Sequence, residues 1–388
     1  MSKIKDLIKR LCPNNIAYVS LDNIVSIETG KLNANAMVEN GKYAFFTCDA
    51  KPFKIDTYAF DGEAILISGN GSQVGHLNYY IGKFNAYQRT YVLMNFNENI
   101  ISKYLFHYLN AYLKKHIDEN SKKGSIPYIT MPMLQKFKVA IPSIEIQKEI
   151  VKVLDKFDEL VSELQLELEQ RKNQYEFWRE KIFNNDDNLM AIGDLLESKG
   201  YIRGPFGSAL VKADMVSEGI PVYEQQHAIY NHRDFRYFIT LEKAKKLERF
   251  SIEPDDLIIS CSGTVGKVSV ILDNDPKGII NQALLILRLN KNLIMPKYMK
   301  YYLESPIGYR SITANTNKSA QVNIASRDAI EKIMIPVPSL EEQKRIVDIL
   351  NTFDALVNDI TEGLPAEIKL RRQQYEYYRN KLLSFEEV

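Results

Sequence analysis

The stretch IPSIEIQKEIVKVLDKFDELV, residues 141–161, returns as VPSLEEQKRIVDILNTFDALV at 337–357, an offset of 196 residues. QYEFWREKIF at 174–183 returns as QYEYYRNKLL at 374–383, now at an offset of 200. Agreement over so many positions marks a tandem duplication, with four residues gained between the two matches in the second copy. Whatever this chain folds into, it does so twice: one globular block, then one repeated segment, then both again.

The repeated segment is patterned as a helix. Ile146, Ile150, Val153, Leu154, Phe157, Leu160, Val161, Leu164 and Leu168 follow i, i+3, i+4, i+7 spacing, with Lys, Asp and Glu between them. Pro142 and Pro338 mark where it begins. Ser143 and Ser339 suit the N-cap, and Glu145, Glu341 and Glu342 suit the positive end of the first turn. A helix over 144–183 would be about 60 Å long at ~1.5 Å per residue, too long for one apolar stripe to bury alone, so the second copy is the expected partner. Gly363-Leu364-Pro365 predicts a break near 362–366, where the four extra residues fall. Tyr175, Phe177 and Trp178, with Tyr375, Tyr377 and Tyr378, are expected to pack in the core rather than stack on bases.

Each globular block mixes short Ile/Val/Tyr/Phe runs with Gly, Asn and Asp turns, the pattern of an α+β domain. A fainter echo joins the two blocks: EAILISGNGSQVG at 63–75 with DDLIISCSGTVG at 255–266, and KYLFHYL from Lys103 with KYMKYYL from Lys297. Elsewhere they diverge. Only the second has RGPFGSAL at 203–210 and the polar run Glu224-Gln225-Gln226-His227, so similar frames carry different surfaces.

The net charge of +1 hides a segregation. Residues 1–143 and 189–338 are net basic, and 144–188 and 339–388 net acidic, which makes the blocks the candidate phosphate binders and the helices the spacers. Cys12, Cys48 and Cys261 lie far apart without CxxC spacing, so they read as buried free thiols rather than a disulfide or zinc framework. No apolar stretch approaches a membrane span, and a cytoplasmic protein is expected.

Catalytic motifs fail one by one. There is no Pro-Pro pair of the kind found in adenine methyltransferases and no glycine-rich cofactor loop after a first strand. CSGTVGKV at 261–268 has Cys261 where a P-loop needs glycine and Val268 where it needs Ser or Thr. Pro254-Asp255 with Asp275-Pro276-Lys277 mimics a metal-dependent nuclease, but Asp61-Gly62-Glu63-Ala64 of the first block supplies no matching constellation, and turn chemistry accounts for Asp255. The five histidines are too dispersed for a ligand cluster, and His227 and His232 read as exposed polar residues in a non-helical segment.

The order of domain, PSxxEQKxIVxxL helix and QYEYYRxKL ending, then all of it again, resembles the type I restriction-modification specificity subunits along essentially the whole chain. LPAEIKLRRQQYEYYRNKLL, 364–383, is especially similar to their C-terminal repeat; the first copy departs with Ile146 before Gln147 and with Phe177-Trp178 for two tyrosines. The resemblance implies two mixed α/β target-recognition domains in pseudo-two-fold tandem repeat, 1–142 and 186–338. Two helical spacers, 143–185 and 339–388, would pack as an antiparallel coiled coil. It implies a non-catalytic subunit whose domains each read one half of a split, asymmetric site in double-stranded DNA. The helices would set the spacing and bind two methyltransferase subunits, joined in a restricting complex by translocase/nuclease subunits. No cofactor is expected here, S-adenosylmethionine belonging to the methyltransferase partner. The alternative is an assembly scaffold without sequence-specific DNA binding.

Loops that combine small residues with amides, hydroxyls and cations can approach base edges and phosphates. In the first domain these are Asn70, Ser72, Gln73, Lys83, Gln88 and Arg89, then Lys122, Lys123 and Ser125. In the second they are Arg203, Gln225, Gln226, His227, Ser262, Thr264 and Lys267, with Asn315, Asn317, Lys318, Ser319 and Gln321.

Overall fold

A computed structural model describes residues 16–120, 128–184, 188–313, 324–359 and 361–385. Two compact units emerge: Met1–Gln165 with Glu367–Val388, and Leu166–Ala366. The division falls inside the long helix, so each unit takes half of it and one helix from the second copy.

In the first unit, β1 (Ala17–Ser20), β2 (Ser26–Thr29), β3 (Tyr43–Phe46), β4 (Phe53–Ile55), β5 (Phe60–Ser68), β6 (Leu77–Ala86) and β7 (Thr90–Met94) precede α1 (Ser102–Asn120), α2 (Met131–Gln135), β8 (Lys138–Ile141) and α3 (Ile144–Phe183). Six strands form one sheet in the order β2-β7-β5-β6-β3-β4, and β1 pairs with β8. Gly62 and Gly82 face each other in the β5–β6 ladder, both at positive φ (133° and 126°). Side chains rarely adopt that backbone, so glycine at both places lets the two long strands bend together. Phe60 stacks on Phe84 at 5.2 Å beside the bend.

The second unit runs β9 (Leu189–Ala191), β10 (Leu196–Arg203), β11 (Met215–Val216), β12 (Ile220–Tyr223), α4 (Gln225–Tyr230), β13 (Phe238–Ile239), α5 (Leu241–Lys246), β14 (Leu257–Ser260), β15 (Val268–Val270), β16 (Ile279–Ile280), β17 (Leu284–Leu289), α6 (Pro296–Leu303), α7 (Pro306–Thr313), α8 (Arg327–Glu331), β18 (Met334–Pro336) and α9 (Leu340–Asn358). Its sheets are β10-β17-β14-β15, β11-β13-β12-β16 and β18-β9. β9–β18 repeats β1–β8, and the paired β14 and β17 repeat β5 and β7. The last helix, α10 (Leu364–Leu383), returns to the first unit.

Within each unit the helix halves run antiparallel. Phe157 of α3 stacks on Tyr378 of α10 at 5.3 Å, while Leu382 and Leu383 join the core beside Ile146, Ile150 and Leu154. In the second unit Tyr175 of α3 stacks on Phe353 of α9 at 5.9 Å, and Phe183 reaches Tyr298 and Tyr302. Thus the Phe of each repeat's Phe-Asp step meets an aromatic from the other copy's QYE segment.

One polar lock is built twice. Gln147 and Gln343, both fully buried, start the two repeated helices. Gln147 Oε1 accepts from the Ile101 N–H at 2.8 Å, and its Nε2 donates to the carbonyls of Asn99 and Pro142. Gln343 does the same with Met295, Leu293 and Pro338. A buried amide needs all such partners, and these tie the first spacer helix to the start of α1 and the second to the start of α6. Tyr104 and Tyr298 add matching hydrogen bonds to Ala140 and Pro336, each at 2.9 Å.

The break expected near 362–366 is present, between the helix ending at Asn358 and the one starting at Leu364. There the N–H groups of Thr361 and Glu362 donate to Asp359 Oδ1, and Pro365 sits in the first turn of α10, where a missing N–H costs nothing. Ser339 caps its helix by accepting from the Glu342 N–H, but Ser143 does not, its hydroxyl being buried without a partner among the described residues. The aromatics divide: Tyr175 is buried and Tyr375 packs against the core, whereas Phe177, Trp178 and Tyr377 are 60%, 37% and 57% exposed, because they occupy the outward face of their helices.

Candidate nucleic-acid interface

Both units assemble the same loop junction. In the first, the Gly69 N–H donates to the Arg89 carbonyl at 2.9 Å, and the Gly69 carbonyl accepts from Ile129 N–H at 2.8 Å. In the second, the Cys261 N–H donates to the Ala283 carbonyl at 2.9 Å, and the Cys261 carbonyl accepts from Ile324 N–H at 3.1 Å. Each junction joins the turn leaving a central strand, the turn entering its neighbour, and the segment leading to the short helix before the spacer. Strand geometry fixes the first two, and these backbone bonds bring in the third.

Around the first junction stand Asn70, Ser72, Gln73, Gln88 and Arg89. Ser72, Gln73, Gln88 and Arg89 are exposed, and Gln88 Nε2 donates to Asn33 Oδ1 at 3.1 Å. Lys83 lies apart, opposite Asp61 at the other end of the β5–β6 ladder from the 69–75 turn, with its ammonium 4.5 Å from the centre of the Tyr58 ring. Around the second junction, Ser262 Oγ donates to Gln225 Oε1 at 3.3 Å, and Thr264 and Lys267 are exposed on the same turn. Gly263 turns the chain here at φ 66°, a left-handed backbone that residues with a side chain rarely adopt. Arg203, at the end of β10, precedes Gly204, whose N–H donates to the Leu284 carbonyl beside this turn. Lys122, Lys123, Ser125, Asn315, Asn317, Lys318, Ser319 and Gln321 lie outside the described residues.

His227 is a correction. It is fully buried on the helix α4, in a segment read from sequence as non-helical, and it stacks on Phe235 at 4.7 Å. Nδ1 accepts from the Glu224 N–H and Nε2 bonds the Asp234 carbonyl, so the ring holds the loop and cannot meet a base. Burial pushes its pKa below the ordinary histidine value. Neighbouring Glu224 is engaged by Arg236 through two hydrogen bonds of 2.8 and 2.9 Å, while Gln225 and Gln226 remain half-exposed. The nuclease-like acids are likewise occupied: Asp255, in a left-handed turn, pairs with Lys291 at 3.1 Å, and Asp275 with Arg233 at 2.8 Å. Of the cysteines, Cys261 is a buried thiol raised to about 12 by desolvation, and Cys48 is only half-buried.

One histidine does join acids. His107 Nε2 bonds Asp155 Oδ1 at 2.8 Å, Asp158 lies 3.9 Å from Nδ1, and the Tyr375 hydroxyl bonds Nδ1 at 3.0 Å. Both ring nitrogens are therefore engaged within the protein, and the Asp155–His107–Tyr375 chain links α3, α1 and α10. The second unit answers with Tyr301 donating to Asn351 Oδ1 at 2.8 Å.

Two residues that sequence reading missed are Arg249 and Arg327, which share a hollow with Arg203 and Tyr201. The three arginines come from three segments distant in the chain. Only the repeat offered a signal, since Arg327 follows the cap Ser326 where Met131 follows Thr130.

The family model for the type I restriction modification DNA specificity domain matches residues 13–174 and again 182–370, one copy on each half. The chain belongs to this family. A Haemophilus influenzae protein named as a type I restriction enzyme specificity subunit is 28% identical over 402 aligned residues, covering 97% of each chain. The EcoR124I/EcoR124II specificity subunit of Escherichia coli is 29% identical over 290 residues, 73% of this chain and 70% of that protein. The crystal structure of the S subunit from M. genitalium superposes with a TM-score of 0.57 at 17% identity, covering 95% of this chain and 97% of that one, so the two-unit fold is shared. No described helix is long and apolar enough to cross a membrane.

Proposed function

We propose that this chain is the DNA sequence-specificity subunit of a type I restriction-modification system, working in the cytoplasm, in which each loop junction reads one half of a bipartite target. The observation that carries this reading is the junction itself, built by the same backbone hydrogen bonds in both units yet lined by different side chains. A shared frame with unlike surfaces suits two unlike half-sites, so the target is asymmetric. The exposed Gln73 and Gln88 on one side, and the exposed Thr264 with half-exposed Gln225 and Ser262 on the other, are of the types that pair with base edges. Arg89 and Lys267, exposed cations of the two junctions, would hold phosphates.

The repeated helices supply the spacer. The glutamine locks couple each domain to its helix, so the distance between half-sites follows from helix length rather than from a flexible linker. Exposed Phe177, Trp178 and Tyr377 on these helices are anchors for two methyltransferase subunits, one per copy of the repeat. Those subunits carry the S-adenosylmethionine and the chemistry, and restriction subunits complete the assembly.

The test is co-expression with the methyltransferase subunit of the same system and single-molecule sequencing of methylated adenine in host DNA. A split, non-palindromic motif present only with this chain supports the reading. Methylation that does not depend on the chain replaces it with a scaffold.

A further inference from the structure

We propose that Arg203, Arg249 and Arg327 form a clamp for one phosphate of the DNA backbone, present in the second unit only. This rests on the DNA-reading function and adds to it a specific contact of specific chemistry.

The three arginines line a hollow of about 380 Å³ with Tyr201, Ile324, Ala325 and Ser326. Arg203 leaves β10 with its guanidinium carbon 5.8 Å from the centre of the Phe206 ring, and its Nη1 is buried with no hydrogen-bond partner among the described residues. A cationic N–H removed from water without an acceptor is costly, and an anion in the hollow relieves that cost. Arg249 is exposed, its guanidinium carbon 5.5 Å from the centre of the Phe250 ring, and has no ion pair among the described residues. Arg327 lies over Tyr201 at 5.3 Å and shares its charge with Glu331 through a 2.8 Å hydrogen bond. Three guanidinium forks set against one carboxylate leave a net positive hollow. One guanidinium fork could grip the two acceptors of a guanine edge, but three forks converging on one hollow suit the several charged oxygens of a single phosphate.

The position is right for duplex DNA, because Ile324 is hydrogen-bonded to the Cys261 turn and Gly204 to Leu284, so the hollow adjoins the second loop junction. The first unit has the frame without two of the three arginines. Gly30 donates to the Thr90 carbonyl as Gly204 does to Leu284, and a Cβ on either glycine would fall 1.9 Å from a carbonyl oxygen. In that register Thr29 stands where Arg203 does, Ile27 where Tyr201 does, and Met131 where Arg327 does. The second half-site is therefore held with one more phosphate contact than the first.

The experiment uses the full chain assembled with its methyltransferase subunits. Affinity for duplexes carrying the methylated motif is measured across a salt series for the wild type, Arg249→Gln/Arg327→Gln, and Arg203→Lys, whose retained charge guards against misfolding. The double variant is expected to bind about tenfold more weakly at low salt, to lower the log–log salt slope by about one, and to keep its base preferences. Unchanged affinity and slope overturn the clamp. An unchanged slope with relaxed preference at one base pair also overturns it, in favour of base readout. If instead inorganic phosphate stabilises the wild type but not the double variant while DNA binding is the same in both, the hollow takes a free anion and not DNA. If the wild-type complex binds no specific duplex, the DNA-reading function itself falls and the clamp with it.

Discussion

Replacing Gln343 by leucine keeps the side-chain volume and removes three buried hydrogen bonds. The Met295 N–H and the carbonyls of Leu293 and Pro338 lose their partner at 2.8, 3.0 and 2.8 Å. Each such bond contributes about 1 kcal/mol net, and groups left unsatisfied cost more, so the loss should come to about 3 kcal/mol. Leucine adds little cavity cost, because the swap is nearly isosteric. Trp178 is the only tryptophan in the chain and sits in the same unit, lining a cleft with Glu342 and Ile346, so its fluorescence reports this region directly. With a denaturant slope of roughly 2–3 kcal/mol per molar urea, the fluorescence midpoint should fall by about 1 M. A fall under about 0.2 M, with native far-UV circular dichroism retained, would mean that water replaces the amide and that the lock does not hold the helix to its domain.

Two further outcomes are expected. His107 and His227 are held neutral, chiefly by burial, with pKa values lowered from 6.5. Below about that pH the unfolded chain binds protons that the folded chain does not, so stability should fall as pH drops through 6.5, and His107→Gln should flatten the urea-midpoint profile between pH 7.5 and 5.5. Phe177→Asp places a charge on an exposed aromatic anchor. It should leave circular dichroism unchanged yet weaken methyltransferase binding by at least about 30-fold in co-purification or titration, with Tyr377→Asp acting on the other copy.

The parts of the fold that were legible in sequence are those the duplication states twice. Helix α3, its apolar stripe and its partner could be read because 3.6-residue periodicity and the 196-residue offset agree. Gln147 and Gln343 were visible as a repeated Gln-Lys step, although their role depends on backbone groups that no side-chain pattern reveals. The outward Phe177, Trp178 and Tyr377 were misread because helical spacing tells which residues share a face, but not which face is covered. His227 was misread because a polar run suggests a surface, while burial of its ring comes from Phe235 and the Asp234 carbonyl, eight and seven residues on. The arginine hollow was invisible for a related reason: residues 203, 249 and 327 converge only through sheet pairing and loop hydrogen bonds.

The central claim is that two independent readers share one frame. Its most direct measurement is the methylated motif after residues 189–338 are exchanged for the corresponding segment of another specificity subunit, with both repeated helices, and in them Gln147 and Gln343, left in place. The account predicts that one half of the motif changes while the other half and the spacer length stay the same. A motif altered in both halves, or in its spacing, would contradict it.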